Sequence, residues 1–169
     1  MKLIFRLLTA DMERASFSCG ELALDRYLKQ QAGPDMRRGF ATVVTACAKE
    51  RPTSVIGYYT LSAASIPLSS LPDETRKKMP RYAVVPAIRL GRLAVDSSQQ
   101  GQHIGSLLLL DALRRSCRNE LAWAVFLVEA KNDELARSYR KFLFRPFAEN
   151  TLFWWMHRKQ AETLASSII

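Results

Sequence analysis

The segment best suited to chemistry lies in the second half of the chain. Ile88 to Val95 is apolar and strand-like, Asp96-Ser97-Ser98-Gln99-Gln100-Gly101-Gln102-His103 is polar, and an apolar helical pattern follows over 104–118. A short loop feeding a helix N-terminus leaves backbone N–H groups unpaired at the positive end of the helix dipole, which makes an anion site. Gly101 and Gly105 would let backbone and ligand approach closely. An ordinary strand-to-helix turn uses glycine in the same way, so the loop by itself leaves both readings open. Two phosphate-binding patterns are excluded. A Walker loop needs lysine after its last glycine, and Gly105 is followed by Ser106. The G-x-G-x-x-G dinucleotide fingerprint is absent.

Other chemistries find little support. Cys19, Cys47 and Cys117 are odd in number and far apart, with neither metal-ligand spacing nor a disulfide framework. No metal is expected, and the thiols point to a reducing cytoplasm. No apolar run reaches the roughly 20 residues that cross a bilayer. The opening MKLIFRLL carries charge within its apolar stretch and reads as a first strand, not a signal peptide. The formal net charge is +9, which attracts polyanions: nucleic acid, acidic protein or a nucleotide-like ligand. The cations cluster: Arg37-Arg38, Arg76-Lys77-Lys78 with Arg81, Arg89 with Arg92, Arg114-Arg115 with Arg118, and Arg137, Arg140 and Lys141.

The elements that must position these residues read as one unit in 169 residues, 48% of them apolar. Ser18-Cys19-Gly20-Glu21 has the form of a capping box, predicting a helix over 21–32. Phe40 to Ala48 and Val55 to Ser62 form a hairpin interrupted at Glu50-Arg51-Pro52-Thr53. A long connection over 64–90 holds four prolines and a short helix begun by Pro72-Asp73-Glu74, which would carry Arg76, Lys77 and Lys78. The helix over 104–118 turns Leu109, Ala112, Leu113, Ser116 and Cys117 to one face. Residues 123–130 form a buried strand, Asn132 caps a helix over 133–143, and 151–157 form a last strand. The fold class is mixed α/β, with a parallel strand–helix–strand unit in the second half and hairpins elsewhere.

GRLAVDSSQQGQHIGSLLLLDALRR resembles motif A of the GNAT acetyltransferases, whose loop reads (Gln/Arg)-x-x-Gly-x-(Gly/Ala). Gln100 fills its first position and Gly105 its last, while His103 replaces the middle glycine. SFSCGELALDRYL, GYYTLSA and LPDETRKKMPRY, in that order before GRLAVD, extend the resemblance to the GNAT toxins of bacterial toxin–antitoxin modules. It covers about Phe17 to Phe147. The resemblance implies a GNAT fold: a mixed central sheet splayed between two parallel strands, flanked by helices, with acetyl-CoA in the splay. The backbone of Leu93, Ala94 and Val95 would pair with the pantetheine arm. The N–H groups of Gln100, Gly101, Gln102, His103, Ile104, Gly105 and Ser106 would hold the diphosphate, with Asn132 also near the cofactor. His103 could crowd the diphosphate, add a donor or leave the loop unchanged. Ala136 to Phe144 resembles a family pattern that ends (F/Y)-Y-x-x-F-G-F, which places a catalytic tyrosine at Tyr139. Leu143 stands where glycine is usual, and this departure should alter how the helix ends.

Amide formation from a thioester needs an amine nucleophile, a proton for the departing thiolate and donors for the carbonyl oxygen. Tyr139 would supply the proton and a backbone N–H of the 93–95 strand the oxyanion contact. Glu129 is an alternative base whose commoner role is pairing with an arginine. The resemblance implies aminoacyl-tRNA as acceptor, acetylated on its α-amine so that translation stops. Arg76, Lys77, Lys78, Arg89, Arg92, Arg137, Arg140 and Lys141 are the candidate tRNA contacts. It further implies a homodimer, with a ribbon-helix-helix antitoxin through which operator DNA is reached. The alternatives are a GNAT enzyme for a small amine or protein N-terminus, and a non-catalytic GNAT-shaped partner with a spoiled cofactor loop.

Overall fold

Val43 to Cys47 are buried without a break and rich in β-branched residues, so this stretch can only be a strand covered on both faces. It is the middle of β2 (Thr42–Ala48), flanked by β1 (Leu3–Leu7) and β3 (Arg51–Pro67), both antiparallel to it. The computed structural model describes residues 1–147 and 152–167. The remaining strands are β4 (Val84–Val95), β5 (Val125–Glu129), the two-residue β6 (Arg145–Pro146) and β7 (Phe153–His157). They form one seven-stranded sheet in the order β1-β2-β3-β4-β5-β7-β6. Thr151, the first residue of the expected last strand, lies outside the described residues. β4 and β5 are the parallel pair, in register from Ala87↔Val125 to Leu90↔Val128, and β4 continues to Val95 beyond that ladder. The expected mixed α/β class with a parallel unit in the second half is borne out.

The chain divides into two compact units. The first comprises Met1–Ser62 and Gly91–Ala112, the second Ala63–Leu90 and Leu113–Ile169. The first unit's core gathers Phe17, Tyr27, Leu28, Val43, Tyr58 and Ala94. The second gathers Leu71, Val85, Ala87, Val125, Leu127 and Trp155.

Two helical expectations need correction. The capping box does not form: Glu21 is the N-cap of α1 (Leu22–Arg26), without a side-chain capping bond. Tertiary partners take the box instead. The Ser18 N–H donates to the Asp96 carboxylate and the Cys19 N–H to Asp25. The helical path also continues past 32, through a π-type turn (Tyr27–Gln31) into α2 (Ala32–Arg37). Pro34 explains the wide turn. It offers no N–H to the residue four back and its ring crowds that carbonyl. The Ala32 N–H accordingly reaches back five residues, to the Tyr27 carbonyl.

The proline-rich connection is shorter than expected, because β3 runs on to Pro67 and β4 begins at Val84. The Leu68 N–H donates to the Ala83 carbonyl at 2.9 Å and closes its base. Within it α3 (Asp73–Arg76) carries Arg76 alone; Lys77 caps the helix and Lys78 lies beyond it. α4 (Ile104–Cys117) and α5 (Asp133–Lys141) lie where the apolar periodicity and Asn132 place them. A final helix, α6 (Arg158–Ser166), was not expected. No helix among the described residues is long and apolar enough to cross a membrane.

Candidate active site

The first unit holds the loop between β4 and α4. Ser97–Gln99 form one 3-10 turn, with the Asp96 side chain accepting from the Ser98 N–H. Up to Gln99 the backbone donors are used within the protein. Ser97 donates to the Ser18 carbonyl, Ser98 to the Asp96 side chain and Gln99 to the Asp96 carbonyl. From Gln100 to Ser106 the pattern changes: among the described residues, no backbone N–H in this run donates to a protein acceptor. The run ends in the first turn of α4, where the positive end of the helix dipole adds to the unpaired donors. A diphosphate fits such a cradle. Gly101 takes a φ of 77°, a conformation glycine adopts without strain. A Cβ on Gly105 would sit 3.8 Å from Leu93 and 3.9 Å from Val95, in ordinary contact, so alanine would also fit.

His103 carries a φ of 60°. The histidine at the middle-glycine position therefore keeps the left-handed backbone that glycine would adopt, and the loop geometry survives the exchange. Arg92, Leu93, Ala94 and Val95 close β4 beside it. The Arg92 guanidinium lies 3.7 Å from the centroid of the Tyr27 ring, a cation–π contact with a core residue.

Tyr139 belongs to the second unit, on α5. Asn132 caps this helix by accepting from the Leu135 N–H at 2.9 Å. The Tyr139 ring is buried, 5.6 Å from Phe144. Burial, and then the charge of Glu129, push its hydroxyl up to about 12. That oxygen has no hydrogen-bond partner among the described residues, nor is it one of the buried unpartnered atoms. The ring is therefore enclosed while the oxygen reaches the surface.

The exchange at Leu143 does not alter the helix end, contrary to expectation. Leu143 takes a φ of 69°. Its N–H donates to the Arg140 carbonyl and the Phe144 N–H to the Tyr139 carbonyl, at 3.0 and 3.1 Å. These are the two bonds of a Schellman cap, and the Phe144–Tyr139 ring contact is its usual apolar partner. The cap thus fixes the backbone of Tyr139 itself.

The candidate RNA-contacting cations differ in what holds them. Arg76 forms an ion pair with Asp73, three residues earlier. Lys77, Lys78, Arg137, Arg140 and Lys141 are exposed, with Arg140 5.5 Å from the Trp154 ring. Arg89 pairs with Glu129 at 3.3 Å and lies 5.5 Å from the Phe153 ring, so Glu129 takes the arginine-pairing role. The Arg89 Nε is buried without a partner among the described residues. Arg89 lines a cavity of ≈ 330 Å³ within the second unit, with Ile66, Leu127, Phe147 and Phe153 among its walls.

The thiols are not poised for nucleophilic chemistry. Burial, and then hydrogen bonding with Asp25, raise Cys19 to about 11, and burial raises Cys47 and Cys117 as well. Among the described residues no group of three or more His, Cys, Asp and Glu side chains is placed to hold a metal ion. Sequence reasoning missed Asp96, the residue that anchors the start of the loop. An Asp followed by two serines at a strand end is the available signal for such a turn.

No protein-family model matches the chain. A curated relative, a tRNA-acetylating toxin from Mycobacterium tuberculosis, is 34% identical over 151 residues, covering 88% of this chain and 88% of that protein. Among solved structures, AtaT complexed with acetyl-methionyl-tRNAfMet superposes with a TM-score of 0.88 at 31% identity, over 96% of this chain and 99% of that one. A tyrosine-to-phenylalanine mutant of the AtaT toxin, bound to the C-terminus of the antitoxin AtaR and acetyl-CoA, superposes with a TM-score of 0.79 at 28% identity, over 96% and 97% of the two chains. The donor loop, the capped tyrosine helix and likeness across almost the whole length agree: the chain belongs to the GNAT-fold acetyltransferase toxins.

Proposed function

We propose that the protein transfers the acetyl group of acetyl-CoA to the α-amine of an aminoacyl-tRNA, which stops translation, and that a cognate antitoxin neutralises it. The observation that carries this reading is the unpaired run of N–H groups from Gln100 to Ser106, in a chain so similar to a tRNA-acetylating toxin. That run would hold the diphosphate and Leu93 to Val95 the pantetheine arm, and Asn132 would also serve the cofactor. His103 and Leu143, the residues on which a non-catalytic reading rests, both keep the backbone that glycine would supply.

The acceptor needs no strong base. An α-amine titrates at about 7.7–8, so much of it is neutral at cellular pH. As the C–N bond forms and the C–S bond breaks, the amine loses a proton and the thiolate gains one. Tyr139 would carry that exchange. Its hydroxyl, at about 12, stays protonated at every cellular pH. A thiol titrates near 8.5, so full ionisation of Tyr139 before the amine gives up its proton would cost about 5 kcal/mol. The tyrosine therefore hands its proton to sulfur only while it receives one from the amine. An N–H of β4 would stabilise the carbonyl oxygen.

The exposed cations Lys77, Lys78, Arg137, Arg140 and Lys141 would meet RNA phosphates, and Arg76 and Arg89 would do so alongside their carboxylate partners. Arg92, stacked on Tyr27, would act on the donor side. The chain would work as one acetyltransferase domain in the cytoplasm, as a homodimer. A ribbon-helix-helix antitoxin would cover its basic surface and bring the pair to operator DNA.

The test is a cell-free translation reaction programmed with a reporter message. The protein should halt synthesis only when acetyl-CoA is present, and added antitoxin should prevent the block. Arrest that persists after acetyl-CoA is removed would contradict the reading.

A further inference from the structure

The turn Ser18–Gly20, remote in sequence from the donor loop, is bonded to it at two points within the first unit. Asp96 makes the first. One carboxylate oxygen accepts from the Ser18 N–H at 3.0 Å, and the other from the Ser98 N–H and hydroxyl at 3.0 and 2.6 Å. The Ser18 carbonyl in return accepts from the Ser97 N–H at 2.8 Å. Burial raises the Asp96 carboxyl, but the bonds from Ser98 and Ser18 outweigh it and hold the group below its ordinary value. Gln100 makes the second point. Its side-chain Nε2 donates to the Cys19 carbonyl at 2.9 Å and to the Val95 carbonyl at 3.0 Å. The Cys19 N–H is tied in turn to Asp25, which is buried.

The inventory at Gln100 is decisive. An amide side chain has two N–H donors and one oxygen acceptor. Both donors are engaged by protein carbonyls, and the remaining oxygen would repel a phosphate. The side chain at the first position of the loop motif therefore cannot donate to the diphosphate while these bonds stand, and only its backbone N–H remains for that task.

We propose that Asp96 and Gln100 are positioning residues for the acyl donor: through the Ser18–Gly20 turn they hold the N–H groups of 100–106 aimed at one point, and their side chains do not touch the donor. The proposal rests on the reading of this loop as the diphosphate cradle. A loop with two glycines and unpaired donors has many conformations open to it, and without the two ties it would have to be ordered by the ligand at each binding event.

The experiment uses the full-length chain with Asp96→Asn and Gln100→Met, each close in size to the native residue. Binding of CoA, and of S-acetylpantetheine, which lacks the diphosphate, is measured by calorimetry; kcat and KM are measured with both acetyl donors. The proposal expects each variant to weaken CoA binding and raise the acetyl-CoA KM by about tenfold, with kcat at saturation within about threefold. With S-acetylpantetheine, kcat/KM should stay within about twofold of the wild type. Equal losses with both donors would reveal general damage to the fold and overturn it. Unchanged CoA affinity in both variants would also overturn it, leaving the donor-loop reading intact. Wild-type protein that binds no CoA would remove that reading and the proposal together.

Discussion

Leu143 offers a test in which the sign of an effect matters more than its size. At an exposed helical position alanine is more stable than glycine by about 0.5–1 kcal/mol, because glycine loses more backbone freedom on folding. At a left-handed position any Cβ costs roughly 1–2 kcal/mol that glycine avoids. Leu143 has a φ of 69° and is 59% exposed. Leu143→Ala and Leu143→Gly lose the same contacts, and only the alanine retains the left-handed penalty. The difference leaves glycine ahead by about 0.5–1 kcal/mol, the reverse of the usual order. In a chain of this length that is a shift of about 1–4 °C in Tm. Arg137, exposed on the same helix, supplies the control: Arg137→Ala should exceed Arg137→Gly in stability. Urea unfolding of all four variants, at equal m-values, measures both differences. An alanine at 143 as stable as the glycine would show that the helix does not end in the left-handed cap described here.

Tyr139→Phe should lower kcat by about a hundredfold or more, with acetyl-CoA affinity within about threefold and an unchanged Tm, because the lost hydroxyl has no protein partner among the described residues. Steady-state kinetics and calorimetry check it, and a kcat within tenfold of the wild type would refute the proton-transfer role. The pH profile of kcat/KM should rise once, through the α-amine near about 8, and stay level to about pH 10, because Tyr139 ionises only at about 12. A falling limb below pH 9, after correction for spontaneous deacylation, would mean an acid other than Tyr139. Tyr27 and Tyr139 are both raised to about 12, so the folded chain binds more protons than the unfolded one between about pH 10 and 12. Their stabilisation is complete below pH 10 and is lost as pH rises through the folded values, about 2–3 kcal/mol for Tyr139 alone; urea midpoints at pH 9 and 11.5 measure it. Gly57→Ala should destabilise by about 1–3 kcal/mol, since the new Cβ would lie 3.0 Å from Leu108 and 3.2 Å from the Ala94 carbonyl.

The parts of the fold that sequence revealed are those whose signals are local. Apolar periodicity placed α4, Asn132 marked the start of α5, and a continuous apolar run marked β5. The failures share a cause: a distant partner overrides a local pattern. Ser18 to Glu21 has every residue of a capping box, yet the Ser18 N–H is claimed by Asp96, far along the chain. The helix expected to end at 32 continues instead, as a widened turn ahead of Pro34 carries it through to Arg37. α6 was missed because only Ala161 within it is buried, which leaves almost no apolar period to detect. At the site, the motif positions were legible. The ties that fix them were not, because a bond between Gln100 and Cys19 leaves no mark on either neighbourhood. The partners of the cations were legible only in part: Asp73 stands three residues before Arg76, whereas Glu129 meets Arg89 across the parallel strand pair.

The most direct test of the central claim supplies purified protein with labelled acetyl-CoA, aminoacylated tRNA and, in parallel, the same tRNA stripped of its amino acid. The account predicts label in the charged tRNA alone, released by mild base as the N-acetyl amino acid. Label that appears equally in stripped tRNA, or only in polyamines or protein N-termini while charged tRNA stays unlabelled, would contradict it.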